Sequence, residues 1–114
     1  MKHFLVTLVL TVPLQDLEPR HLHLHDLHFR TGCELGLFLS HGPLEPATGW
    51  LAIARSESGR TLANFLEENP LLADHLATAT IQEFKPAEFP VSLRGWVNPA
   101  EWDQDYDDLF CLPA

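Results

Sequence analysis

HFLVTLVLTV, residues 3–12, is the stretch on which the fold turns. Phe4, Val6, Leu8, Leu10 and Val12 alternate with His3, Leu5, Thr7, Val9 and Thr11. An alternation of period two belongs to a strand, because successive side chains leave the backbone on opposite faces. A basic start ahead of an apolar run could also open a secretory signal, but no small-x-small cleavage site follows; Pro13-Leu14-Gln15-Asp16 does. No apolar stretch reaches the roughly 18 residues needed to span a bilayer, so the expected setting is the cytoplasm, with no membrane partner.

The remaining elements follow outward from this strand. Pro19 to Glu34 carries helical spacing, with Pro19 suited to the first turn and Gly32 and Gly36 weakening or closing the far end. Leu37 to Ser40 reads as a short second strand, Gly42-Pro43-Leu44-Glu45-Pro46 as a turn, and Trp50 to Ala54 as a third strand within hairpin reach. Ser58 caps a second helix whose Leu62, Phe65 and Leu66 recur at helical spacing up to Asn69-Pro70. A turn through Leu71 to Leu76 leads to a fourth strand, Thr78 to Phe84, ended by Lys85-Pro86. The order β-α-β-β-α-β predicts an α+β fold of the ferredoxin-like kind, a four-stranded antiparallel sheet with both helices on one face.

That architecture leaves one sheet face without helices. The odd positions of the first strand point there, and Leu5 and Val9 beside His3, Thr7 and Thr11 are too apolar for open water and too polar for a sealed core. A homodimer that lays two such faces together answers both demands and encloses a part-polar cleft for a small organic ligand, with His3 and Thr7 in its lining.

At 114 residues the chain is expected to form one core, spanning residues 1–90, with an extension at 91–114 that sets Trp96, Trp102, Tyr106 and Phe110 among acids. The extension is expected to pack on its own domain or on the partner copy, covering Leu24 and Leu27 on the first helix. Sixteen Asp and Glu against seven Lys and Arg, a net charge of -9, repel phosphate backbones and argue against nucleic acid as a partner. Cys33 and Cys111 have neither the number nor the spacing of a disulfide framework or a CxxC metal site, and buried or indifferent thiols are expected. There is no GxGxxG, Walker A or GxSxG sequence.

His21, His23, His25 and His28 crowd into eight residues of the first helix. At about 100° per residue His21, His25 and His28 share a stripe with His23 turned away. The same wheel sets Leu22, Phe29 and Cys33 on one narrow face, with His25 closest to it and half buried. Such a stripe could bind a metal with His41 or Asp26 completing the set, yet no HExxH pattern is present. A histidine at the rim of a cleft is also the natural general acid or base, given an orienting partner such as Asp26, Glu67, Glu68 or Asp74. His41 and Pro43, at the end of the second strand, are candidates for ligand contact.

Taken together, His25, Gly36, Leu37-Phe38-Leu39, Gly42-Pro43-Leu44, Glu68-Asn69-Pro70 and Ile81-Gln82-Glu83-Phe84-Lys85-Pro86 resemble the YciI-like family, a branch of the dimeric α+β barrel superfamily, over residues 1–90. The resemblance implies a homodimer with facing sheets and a cleft in each subunit; no cofactor is expected. His25 matches the histidine to which the family's active site is ascribed. The family usually has Asp before the Pro that follows the second helix; here it is Asn69, so His25 and Asn69 stand as the catalytic candidates without a carboxylate between them. An amide cannot exchange a proton as a carboxylate does. The family commonly has leucine where this chain has Gly32. The wider superfamily includes lactone isomerases, cofactor-free monooxygenases and haem-dependent enzymes, and shared fold does not carry chemistry across. A flat haem would consume most of the cleft of so short a chain. The alternative is a noncatalytic ligand-binding or protein-interaction module.

Overall fold

The computed structural model describes residues 1–99. β1 (Lys2–Leu10), α1 (Pro19–Glu34), β2 (Phe38–Pro43), β3 (Gly49–Ser56), α2 (Gly59–Glu67), a one-turn α3 (Pro70–Ala73) and β4 (Ala77–Phe84) follow in that order. The strands form one antiparallel sheet in the order β2-β3-β1-β4, which is the ferredoxin-like α+β arrangement. β1 is central. Its even positions Phe4, Val6 and Leu8 are buried with Ala52, Ala54, Phe29, Leu62 and Leu66, and this is the layer between sheet and helices.

Local chemistry explains most boundaries. Pro19 opens α1, and Gly36, at φ 76°, closes its far end in a conformation that costs a side-chain-bearing residue energy. The Ser58 side chain accepts from Thr61 N–H and starts α2. Gly49 is where β3 comes closest to β1, since a Cβ there would lie 1.8 Å from the Leu8 carbonyl oxygen.

Several expectations are corrected. β1 ends at Leu10, because Thr11 N–H already leaves the ladder for the Leu76 carbonyl. β2 runs on through Gly42 and Pro43, and the turn lies beyond it; β2 is an edge strand, where proline's missing N–H deprives no neighbour. Pro70, where the second helix is expected to break or restart, restarts it: a short helix capped by Asn69 replaces the first part of the expected turn. On α1 the buried face is His25, Phe29 and Gly32, while Cys33 is exposed. Gly32 holds the inward position because a Cβ there would meet the Phe38 ring at 2.7 Å.

Residues beyond β4 cross to the helix-free face. A 3-10 turn (Val91–Leu93) and a short helix α4 (Arg94–Val97) bury Val97. The Arg55 guanidinium donates to the Gly95 and Trp96 carbonyls at 3.3 and 2.6 Å and lies over the Trp96 ring, whose indole N–H reaches the Gly36 carbonyl at 3.1 Å. Trp96 thus packs on Arg55 and His3 rather than on Leu24 and Leu27, which remain 42% and 40% exposed among the described residues. Trp102, Tyr106, Phe110 and Cys111 lie outside the described residues. No helix among the described residues is long and apolar enough to cross a membrane.

Candidate functional site

His25, His28 and Asn69 meet between α1 and the α2–α3 junction. Asn69 is fully buried, and its backbone position as the first residue before α3 fixes its amide: the side-chain oxygen accepts from Leu71 N–H at 3.0 Å. The amide nitrogen is thereby left to face α1. It lies 3.0 Å from His25 Nδ1 and 3.1 Å from His28 Nδ1, one N–H for each ring.

These contacts determine the tautomers. An amide N–H can only donate, so both Nδ1 atoms are acceptors and each neutral ring carries its proton on Nε2. For His28 this is consistent with Nε2, which sits 3.0 Å from the Phe65 carbonyl and must donate to it. The His28 ring also stacks on Phe65, with centroids 4.3 Å apart. Burial lowers the His28 pKa, against the upward pull of the Phe65 carbonyl and Glu68.

His25 is 1% exposed, and its ring is packed against Trp50 and Phe29 at centroid distances of 4.2 and 4.4 Å. Burial pushes its pKa down to about 4, against the upward pull of Asp26. Asn69 also favours the neutral ring. Only its oxygen could stabilise an imidazolium, and that oxygen is held by Leu71. At neutral pH His25 is therefore an uncharged imidazole with Nε2–H free of the Asn69 contact.

The other candidates fall on two sides of the sheet. Cross-strand register pairs His41 with Ala52 and Pro43 with Trp50, which sets both on the helix side at the exposed β2 edge. The His41 ring is 5.4 Å from that of Phe29, so His25, Asn69, Trp50, His41 and Pro43 belong to one neighbourhood. Thr7 lies on the opposite, helix-free face, across from Leu51 and Thr80. His3 shares that face at its far end, 5% exposed under Trp96, with burial lowering its pKa and Nε2 lacking a partner among the described residues. A cleft of about 310 Å³ opens at the β2 edge, lined by Ser40 to Glu45, His41 and Pro43 among them, and by Leu51 and Ile53. His25 does not line it.

Of the candidate carboxylates, Asp74 pairs with His21 at 2.9 Å, and the side chain that meets His25 is the amide of Asn69. Among the described residues no three His, Cys, Asp or Glu side chains converge as a metal site. Sequence reasoning sets His28 only on the histidine stripe weighed for a metal, and does not assign Trp50 and Phe65 to the site. The one available signal is spacing, since residues three apart on a helix share a face and can meet one partner.

No protein-family model and no curated protein matches the chain by sequence. Among solved structures the fold is similar to 5-chloro-2-hydroxyhydroquinone dehydrochlorinase (TftG) from Burkholderia phenoliruptrix AC1100, in complex with 2,5-dihydroxybenzoquinone. The TM-score is 0.62 at 16% identity, covering 73% of this chain and 93% of that one. The likeness is one of fold, the ferredoxin-like α+β arrangement.

Proposed function

We propose that this chain is a cytoplasmic, homodimeric, YciI-like enzyme acting on a small organic molecule, in which His25 serves as a neutral hydrogen-bond acid and not as an ion. The observation that carries this is the Asn69 amide, which gives one N–H to each of two imidazoles and so commits the His25 proton to Nε2. A neutral imidazole can polarise a carbonyl or phenolic oxygen by donating Nε2–H, and a depressed pKa keeps it in that form at pH 7. Trp50 and Phe29 offer flat apolar walls to a planar ligand, with His41 at the edge through which it would enter. The quinone held by the solved dehydrochlorinase is one molecule of this type. Because His25 is almost wholly covered, entry requires the Trp50 or His41 ring to move aside. Dimerisation is supported by the helix-free face, where Leu5 and Val9 are 38% and 41% exposed.

A noncatalytic binding module is the second reading, favoured by the amide at residue 69, which cannot take up a proton. A thermal-shift screen of lactones, phenols, quinones and small carboxylates against wild type and His25→Ala separates the two. The enzyme reading expects a binder whose stabilisation is lost in His25→Ala and which wild type, but not the variant, consumes. A binder consumed by neither leaves the module, and a flat response from both proteins refutes a ligand at His25.

A further inference from the structure

We infer that the outer flank of α1 is a docking surface for this chain's own residues 100–112, which lie along Leu24, Leu27, Thr31 and Leu35 of the same subunit. Leu24, Leu27 and Leu35 are exposed. Thr31, exposed between them, spends its hydroxyl on the Leu27 carbonyl at 3.0 Å and so has only its methyl group to offer. At about 100° per residue these positions fall in one quadrant of the helix, and they make a continuous apolar line on the side of α1 turned away from Cys33.

The choice of occupant follows from where the described chain ends. The Trp96 indole N–H reaches the Gly36 carbonyl at 3.1 Å, and Arg55 donates to that same carbonyl and to the Trp96 carbonyl at 2.8 and 2.6 Å. Gly36 follows Leu35 directly, so the residues after 99 start beside one end of the apolar line. From Leu35 back to Leu24, α1 rises about 16 Å, and residues 100–112 reach about 20 Å even at the short helical rise. Their apolar side chains Trp102, Tyr106 and Leu109 recur every three or four residues, the spacing of the line itself. Arg20 and Arg30 balance Asp26 and Glu34 along α1, so apolar burial and not charge holds the acidic segment. Attachment to the same chain gives the segment a high effective concentration, which favours it over a second copy. Nothing in this argument depends on His25, so the surface stands or falls separately from the proposed enzyme.

The test uses the full chain in its native oligomeric state. With the exposed Cys33 replaced in Cys33→Ser, Cys111 alone takes a nitroxide label. Amide signals should then broaden most at Leu24 and Leu27 and least at Leu35, because the segment runs back along α1. Leu27→Lys, at an exposed position that tolerates the change, should remove the broadening with the fold unaltered. In unlabelled protein, Trp102→Ser should shift the amides of Leu24, Leu27, Thr31 and Leu35 and leave those of Leu5 and Val9 in place. No broadening on α1, broadening centred on Leu5 and Val9, or broadening that survives Leu27→Lys would each overturn the proposal. So would unmoved α1 amides in Trp102→Ser. In a mixture of spin-labelled chains with nitrogen-15 chains that carry no label, α1 of the latter should stay sharp; broadening there would mean that the segment docks on a second copy and that the proposal is wrong.

Discussion

Replacing Asn69 by aspartate should convert His25 from a group that stays neutral into one that titrates near physiological pH. In the Asn69→Asp variant one carboxylate oxygen still accepts from Leu71 N–H, while the other takes the place of the amide nitrogen and faces two Nδ1 atoms about 3 Å away. Both rings lose a donor and face an acceptor. His25 can respond by moving its proton to Nδ1. His28 cannot, because its Nε2–H is committed to the Phe65 carbonyl, so it must become an imidazolium to satisfy both partners. Unit charges about 4 Å apart interact by about 4 kcal/mol at an effective dielectric near 20, or about 3 pKa units, and a neighbouring opposite charge usually shifts a pKa by about 1–3 units. From about 4, the His25 pKa is expected to rise to between about 5 and 7. The assay is a histidine-ring NMR titration of both proteins. The variant's stability deficit should also shrink from pH 8 to pH 6, because the buried carboxylate gains its cationic partner on protonation. A His25 pKa that stays near its wild-type value in Asn69→Asp, with Nδ1 still unprotonated, would refute the reasoning.

Other consequences can be checked on stability and ionisation. In wild type the His25 pKa is depressed from 6.5 to about 4, so its contribution to stability is fully present above pH 6.5 and is lost as pH falls toward 4. The loss should be roughly 3 kcal/mol in denaturant titrations, and His25→Gln, which keeps an acceptor for Asn69, should remove that part of the pH slope. Gly49→Ala should cost at least about 3 kcal/mol or abolish folding, because β1 and β3 must separate to admit the methyl group; a variant with wild-type melting would contradict the close approach seen there. Trp96→Ala should cost about 2 kcal/mol and let the His3 pKa rise toward its ordinary value as the ring is uncovered, both readable by NMR and thermal denaturation. Leu5→Lys, on the helix-free face, should leave a folded monomer if that face joins two copies, measured by sedimentation or scattering.

The sheet is legible because β1 carries its face assignment in plain alternation, and α1 is legible because Pro19 and the spacing of His25 and Phe29 mark its start and its inner face. The ends of β2 are harder. Gly42 and Pro43 have the composition of a turn, and only the edge position, a property of the assembled sheet, makes a strand of them. The wheel turns Cys33 inward, whereas the Phe38 ring reserves that space for Gly32, a contact between elements that periodicity cannot display. His25 and Asn69 stand out in the sequence, but not the way they meet. That Asn69 spends its oxygen on Leu71 and both its N–H groups on imidazoles depends on the cap of α3, which no pattern in the sequence displays. The crossing of Trp96 to Arg55 has no sequence signal, since neither residue lies within any shared period.

The most direct test of the account is nitrogen-15 NMR of the His25 ring in the unmodified protein between pH 8 and pH 4. Nε2 should carry the proton, Nδ1 should show the shift of an acceptor, and neither should titrate until the pH approaches 4. A ring protonated on Nδ1, or one that ionises near pH 6.5, would contradict the claim that Asn69 and burial together hold His25 as a neutral Nε2–H donor.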